Sequence, residues 1–166
     1  MFSYGQLEAA IRSLHDVPPE RAGTFKARIR HFQRIGLVPS SPGKGIKIEY
    51  EVADAWKWAV CFELAEAGLM PEAIKSTLGA AGRKLTIDFA GDSHSAEDQI
   101  FWLRAEFLSW HLDHLPDWYD KVRFNVVPVS RVADAAFKEE GAGRVLMLNL
   151  TKLKRDLGKA LDIDWC

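Results

Sequence analysis

Five histidines, two cysteines and scattered carboxylates are the residues of this 166-residue chain whose chemistry suits a metal or a reaction. His111 and His114 flank Asp113, and their i, i+3 spacing would set both imidazoles on one helical face. No cysteine and no third histidine joins them in a recognisable ligand motif, and His94 lies near only Glu97 and Asp98. Cys61 falls among apolar residues of helical spacing, where a thiol acts as a small hydrophobe, and with Cys166 it makes no disulfide framework. The chain has no Gly-x-Ser-x-Gly, no phosphate-binding loop and no dinucleotide fingerprint. Gly141-Ala142-Gly143 serves as a turn, and Glu139-Glu140 before it as a solvated pair. The expectation is a protein that is not an enzyme, with no cofactor and no metal.

Charge offers a different chemistry. From Arg21 through Ile48 there are seven basic residues (Arg21, Lys26, Arg28, Arg30, Arg34, Lys44, Lys47) and no Asp or Glu, in a chain of net charge −1. Such local segregation is the footprint of a phosphate-binding surface. At about 100° per residue, Phe25, Ile29 and Phe32 form one narrow apolar stripe. Lys26, Arg30, Gln33 and Arg34 share an adjacent polar face, with Arg28 and His31 outside it. A helix over about 22–35 is predicted, ended by Gly36, with side chains suited to phosphates and to base edges in a major groove. Pro42-Gly43-Lys44-Gly45 is a turn sequence, and Ile46, Ile48 and Tyr50 alternate after it. This predicts a two-stranded wing over 38–50 with Lys44 on its tip and Lys47 on its flank.

Residues 4–78 resemble the MerR-type winged helix-turn-helix DNA-binding domain. The family pattern Thr-Ile-Arg-Tyr-Tyr-Glu followed by Gly-Leu is similar to Arg28-Ile29-Arg30-His31-Phe32-Gln33 followed by Gly36-Leu37. The family's wing ends in a Tyr, matched by Tyr50. Its next helix ends in a Gly before a short helix, matched by Leu64–Gly68 and Pro71–Leu78. The chain departs at the Thr, the Tyr pair, the Glu and the wing strand, where Lys47 and Glu49 stand, and it lacks the family's long dimerisation helix. The resemblance implies a DNA-reading helix and a backbone-contacting wing. The residues expected to meet DNA are Lys26, Arg28, Arg30, His31, Gln33, Arg34, Lys44, Lys47 and Tyr50.

The positioning elements follow in order. Ser3 with Gln6 makes a capping box, Phe2 with Leu7 a staple, and Tyr4, Leu7, Ile11 and Leu14 the buried face of a first helix. Asp16-Val17-Pro18-Pro19 breaks it. After the wing, Val52, Trp56, Val60 and Leu64 recur at helical spacing, while Trp58 and Phe62 mark a second apolar face, assigned to the C-terminal region or a second subunit. A short helix begins at Pro71, and Gly79-Ala80-Ala81-Gly82 is the expected boundary between a DNA-binding domain, 1–79, and a C-terminal domain, 84–166. The second is read as mixed: a strand at 84–89, a strand in the first half of 100–110, strands at 122–127 and 144–148, and a helix at 132–137. A last amphipathic helix carries Leu150, Leu153, Leu157 and Leu161, with Asn149 or Thr151 as cap and Lys152, Lys154, Arg155 and Lys159 outside.

The fold class expected is therefore α+β: an N-terminal winged helix-turn-helix followed by a small mixed α+β domain. Residues 1–84 carry a charge of +3 and 85–166 one of −4. No run of the sequence has the length of a membrane span or the form of a signal peptide, so a cytoplasmic, nucleoid-associated protein is expected. The function expected is that of a sequence-specific double-stranded DNA-binding transcription regulator acting as a homodimer. The alternatives are an excisionase-like, architectural or DNA-packaging accessory of a phage or mobile element, or an adaptor that no longer binds DNA. The aromatic group Phe101, Trp102, Phe107, Trp110, Trp118 and Tyr119 is read as core or interface, without a small-molecule effector.

Overall fold

The computed structural model describes residues 1–39, 48–82, 85, 96–104, 124–137 and 145–164. The fold class is α+β, and the chain forms two compact units, Met1–Ile74 with Leu153–Cys166, and Lys75–Lys152.

In the first unit, α1 (Tyr4–Leu14) starts at the predicted capping box. The Gln6 amide donates to Ser3 Oγ at 3.3 Å, and the Ser3 amide donates to Gln6 Oε1 at 2.9 Å. Phe2 is buried, and its backbone exchanges two 2.8 Å hydrogen bonds with Tyr50, fixing the chain start beside the end of the wing segment. A 3-10 turn (Pro19–Arg21) leads into α2 (Ala22–Arg34), which buries Phe25, Ile29 and Phe32 as its stripe requires. Gly36, at φ +75°, closes α2: the Leu37 amide donates to the Phe32 carbonyl at 2.9 Å and the Gly36 amide to Gln33 at 3.1 Å. The wing predicted over 38–50 lies mostly outside the described residues, with Ile46, Lys44 and Lys47 among those not described.

The core is built around α3 (Val52–Glu66). Its Phe62 ring lies 5.0 Å from Phe25, 5.2 Å from Phe32 and 5.8 Å from His15, while Trp58 meets Tyr4 at 6.1 Å and Tyr50 at 5.7 Å, both edge-on. Both apolar faces of α3 are thus occupied by rings of its own unit. This corrects the assignment of Trp58 and Phe62 to a second subunit, since each is at most 1 % exposed within the chain, whereas the C-terminal region does enter the same unit through Leu153–Cys166. α4 (Pro71–Gly82) continues through the Gly79-Ala80-Ala81-Gly82 run instead of breaking there, with Leu78 and Ala81 buried. Two helix-favouring alanines and an inward-facing leucine outweigh the roughly 1 kcal/mol that each interior glycine costs.

The second unit holds an antiparallel sheet of order β2-β1-β3, made of β1 (Gln99–Arg104), β2 (Phe124–Pro128) and β3 (Val145–Asn149). Phe101 opposes Val126 and Leu148, and Trp102 opposes Asn125 and Met147. Ile100, Phe101, Trp102 and Leu103 are all buried, so β1 is covered on both faces. That accounts for the lack of alternation in this segment, whose second half, 105–110, lies outside the described residues. Leu85, the one described residue of the strand predicted over 84–89, is buried and helical rather than extended.

A 3-10 turn (Val129–Arg131) and α5 (Val132–Phe137) follow β2, and α5 packs on β1 and β2. Asn149 caps α6 (Leu150–Leu161): the Lys152 amide donates to its Oδ1 at 2.8 Å, and its Nδ2 donates to Asp98 at 2.7 Å.

Candidate nucleic-acid interface

α2 is locked by its apolar stripe and turns Lys26, Arg28, Arg30 and Arg34 outward, all exposed. Two of these cations are met by acids from elsewhere in the sequence. Glu8 on α1, only 8 % exposed, lies 3.4 Å from Lys26 Nζ, and Glu66 on α3 accepts from Arg28 Nη1 at 2.9 Å. The absence of acids between residues 21 and 48 therefore does not leave every cation of that stretch unpartnered. Glu8 is the sole acid of α1 and borders its buried face, which is the one local signal that could have revealed its role.

The remaining cations form a narrower group. Arg30 makes no ion pair among the described residues; its charge opposes the effect of burial, the larger one, which raises the Tyr4 phenol. Arg34 Nη2 donates to His31 Nδ1 at 2.9 Å, which requires that nitrogen to be unprotonated. Gln33 is half-buried and its Nε2 donates to the Pro39 carbonyl at 3.2 Å. Gln33 also hydrogen-bonds the Tyr50 phenol, favouring its ionised form against burial, which dominates and raises it. Gln33 thereby ties the end of α2 to the segment that follows. Tyr50, expected among the residues that meet DNA, is instead 1 % exposed and packs on Trp58, because its ring fills the core beside α3. Lys44 and Lys47 lie outside the described residues.

Behind the basic helix, His15 is held below its ordinary value of 6.5, mainly by burial against Phe62, with Glu63 at 3.9 Å opposing. Its Nε2 is buried without a hydrogen-bond partner.

The residues considered for catalysis or metal binding stand apart from this. Burial pushes the Cys61 thiol up to about 12, which leaves it protonated and unreactive near neutral pH. Glu97 accepts from the Ser130 amide at 3.2 Å, and hydrogen bonds from Ser130 hold its carboxyl below the usual range. Asp98 accepts from Asn149. Among the described residues no three His, Cys, Asp or Glu gather as a metal site, and no helix is long and apolar enough to cross a membrane. His94, His111 and His114 lie outside the described residues. Compared with models of known protein families and with curated proteins, the chain matches none.

Proposed function

We propose that the protein is a sequence-specific double-stranded DNA-binding transcription regulator of MerR-like winged helix-turn-helix type, acting as a homodimer. The observation that carries this reading is Arg30: an exposed arginine without an ion pair among the described residues, central on the outer face of a helix whose other side is fixed by Phe25, Ile29 and Phe32. α1, the 3-10 turn and α2 follow one another in helix-turn-helix order. In this reading α2 enters the major groove and Arg30 donates both arms of its guanidinium to guanine O6 and N7. Arg34, one turn on, and its hydrogen-bond partner His31 contact the adjacent strand. Lys26 and Arg28, each tethered by a carboxylate, set the helix against the backbone. Lys44 and Lys47 of the wing add phosphate contacts, which position without reading sequence. One module of this size binds weakly, and two-fold pairing on an inverted repeat raises affinity to a regulatory level.

The test is recovery of sheared genomic DNA by the purified protein at two salt concentrations, beside Arg30→Ala. The expected outcome is enrichment of a few fragments sharing an inverted repeat, with the variant losing about 1–3 kcal/mol and its preference at one base of each half-site. Equal loss on all sequences would remove Arg30 from base reading. Uniform recovery that disappears with salt would replace regulation by an architectural role.

A further inference from the structure

The C-terminal half carries a charge of −4, yet four of its ten basic residues fall within α6, where Asp156 is the one acid. The helix period separates them. Leu150, Leu153 and Leu157 are buried, whereas Arg155 and Lys159, four residues apart and about 40° apart on the wheel, are exposed on the opposite side. Neither has a carboxylate within ion-pair distance among the described residues. From Leu153 onward α6 belongs to the compact unit that contains α2. The two cations are therefore presented by the same unit as α2, which carries twelve Lys and Arg against twelve Asp and Glu.

We propose that Arg155 and Lys159 form a second phosphate-contacting surface, which engages the backbone of the same DNA duplex that α2 reads. The inference rests on the DNA-binding reading of α2 and extends its footprint. Charge complementarity selects a polyanion as the occupant. The buried state of Leu153 and Leu157 selects duplex over membrane, because an interfacial helix needs its apolar face free to enter the acyl layer. Phosphate contacts of this kind add affinity without sequence preference and release counterions.

The test measures binding of the full-length chain to a labelled duplex over a series of salt concentrations. Wild type, Arg30→Ala and the double variant Arg155→Gln/Lys159→Gln are compared, with thermal unfolding of each. The double variant is expected to unfold as wild type does, to keep its base preference, and to lower the slope of log K against log salt by about two. An unchanged slope, with wild type still binding and Arg30→Ala still losing its preference, would overturn the α6 surface alone. A wild type that binds no duplex would overturn the α2 reading, and this one with it. Binding of wild type to anionic lipid vesicles, weakened by the double variant while its DNA slope stays the same, would assign the stripe to a membrane instead. Should the double variant unfold early, Lys159→Glu alone, at an exposed site, must still weaken DNA binding.

Discussion

At the scale of single residues, the basic stretch shows how far a one-dimensional charge pattern reaches. Seven cations without an acid are visible from residue 21 to 48, but the carboxylates that meet Lys26 and Arg28 arrive from Glu8 and Glu66, on other helices. Tertiary contact decides which cations stay available, and no local spacing encodes it. The exposed Arg28–Glu66 pair contributes only about 0.2–1 kcal/mol, so its effect is on which charges face outward more than on stability, whereas Glu8 meets Lys26 from a buried position. His15 is a case where burial does bear on stability. Its folded value lies below 6.5, so between that value and 6.5 the unfolded chain binds more protons than the folded one. Its contribution is fully present above pH 6.5 and is lost as pH falls through the folded value. The melting temperature should therefore drop on acidification below 6.5, with a shallower drop in His15→Gln. The same pH slope in both proteins would show that His15 is not the titrating group.

At the scale of elements, local signals gave true boundaries wherever the chain itself supplies the stop. The capping box of α1, the stripe of α2, its glycine end and the span of α5 were all legible from neighbouring residues. What was not legible depended on distant packing: which rings fill the second apolar face of α3, the helical course of 79–82, and the cover on both faces of β1, whose extended course was expected. Four helices share one way of ending, in which a left-handed residue lets the next amide reach back to the final turn. Gly36 and Gly68 do this after α2 and α3, and Asp16 and Asp162 after α1 and α6, at φ +46° and +54°. A methyl group at Gly36 would meet nothing within 4 Å, so its cost is conformational alone. Gly36→Ala should lose about 1–2 kcal/mol, and Asp162→Gly should gain up to about 1 kcal/mol. Chemical denaturation midpoints measure both; a neutral Gly36→Ala would mean that residue 36 relaxes out of the left-handed region.

At the scale of the whole molecule, the division of the chain does not follow its charge halves. The sequence suggests a break near residues 79–84, and nothing local tells that Leu153–Cys166 is grouped with the first unit, because that grouping is a matter of long-range packing. Leu153 and Leu157 are each at most 6 % exposed, and burying such a side chain contributes about 1.5–3 kcal/mol. Removing residues 153–166 should therefore accelerate amide exchange in α1, α2 and α3 more than in β1. The opposite order, with a loosened sheet and unchanged helices, would detach α6 from the first unit.

The same grouping has a consequence for the order of synthesis. A ribosome making this chain releases α1, α2 and α3 early, but must translate residues 75–152 before the helix that completes their unit exists. At roughly 5–20 residues per second, α1, α2 and α3 wait on the order of ten seconds with part of their apolar surface uncovered. A nascent-chain binding partner or chaperone has that interval in which to act on it.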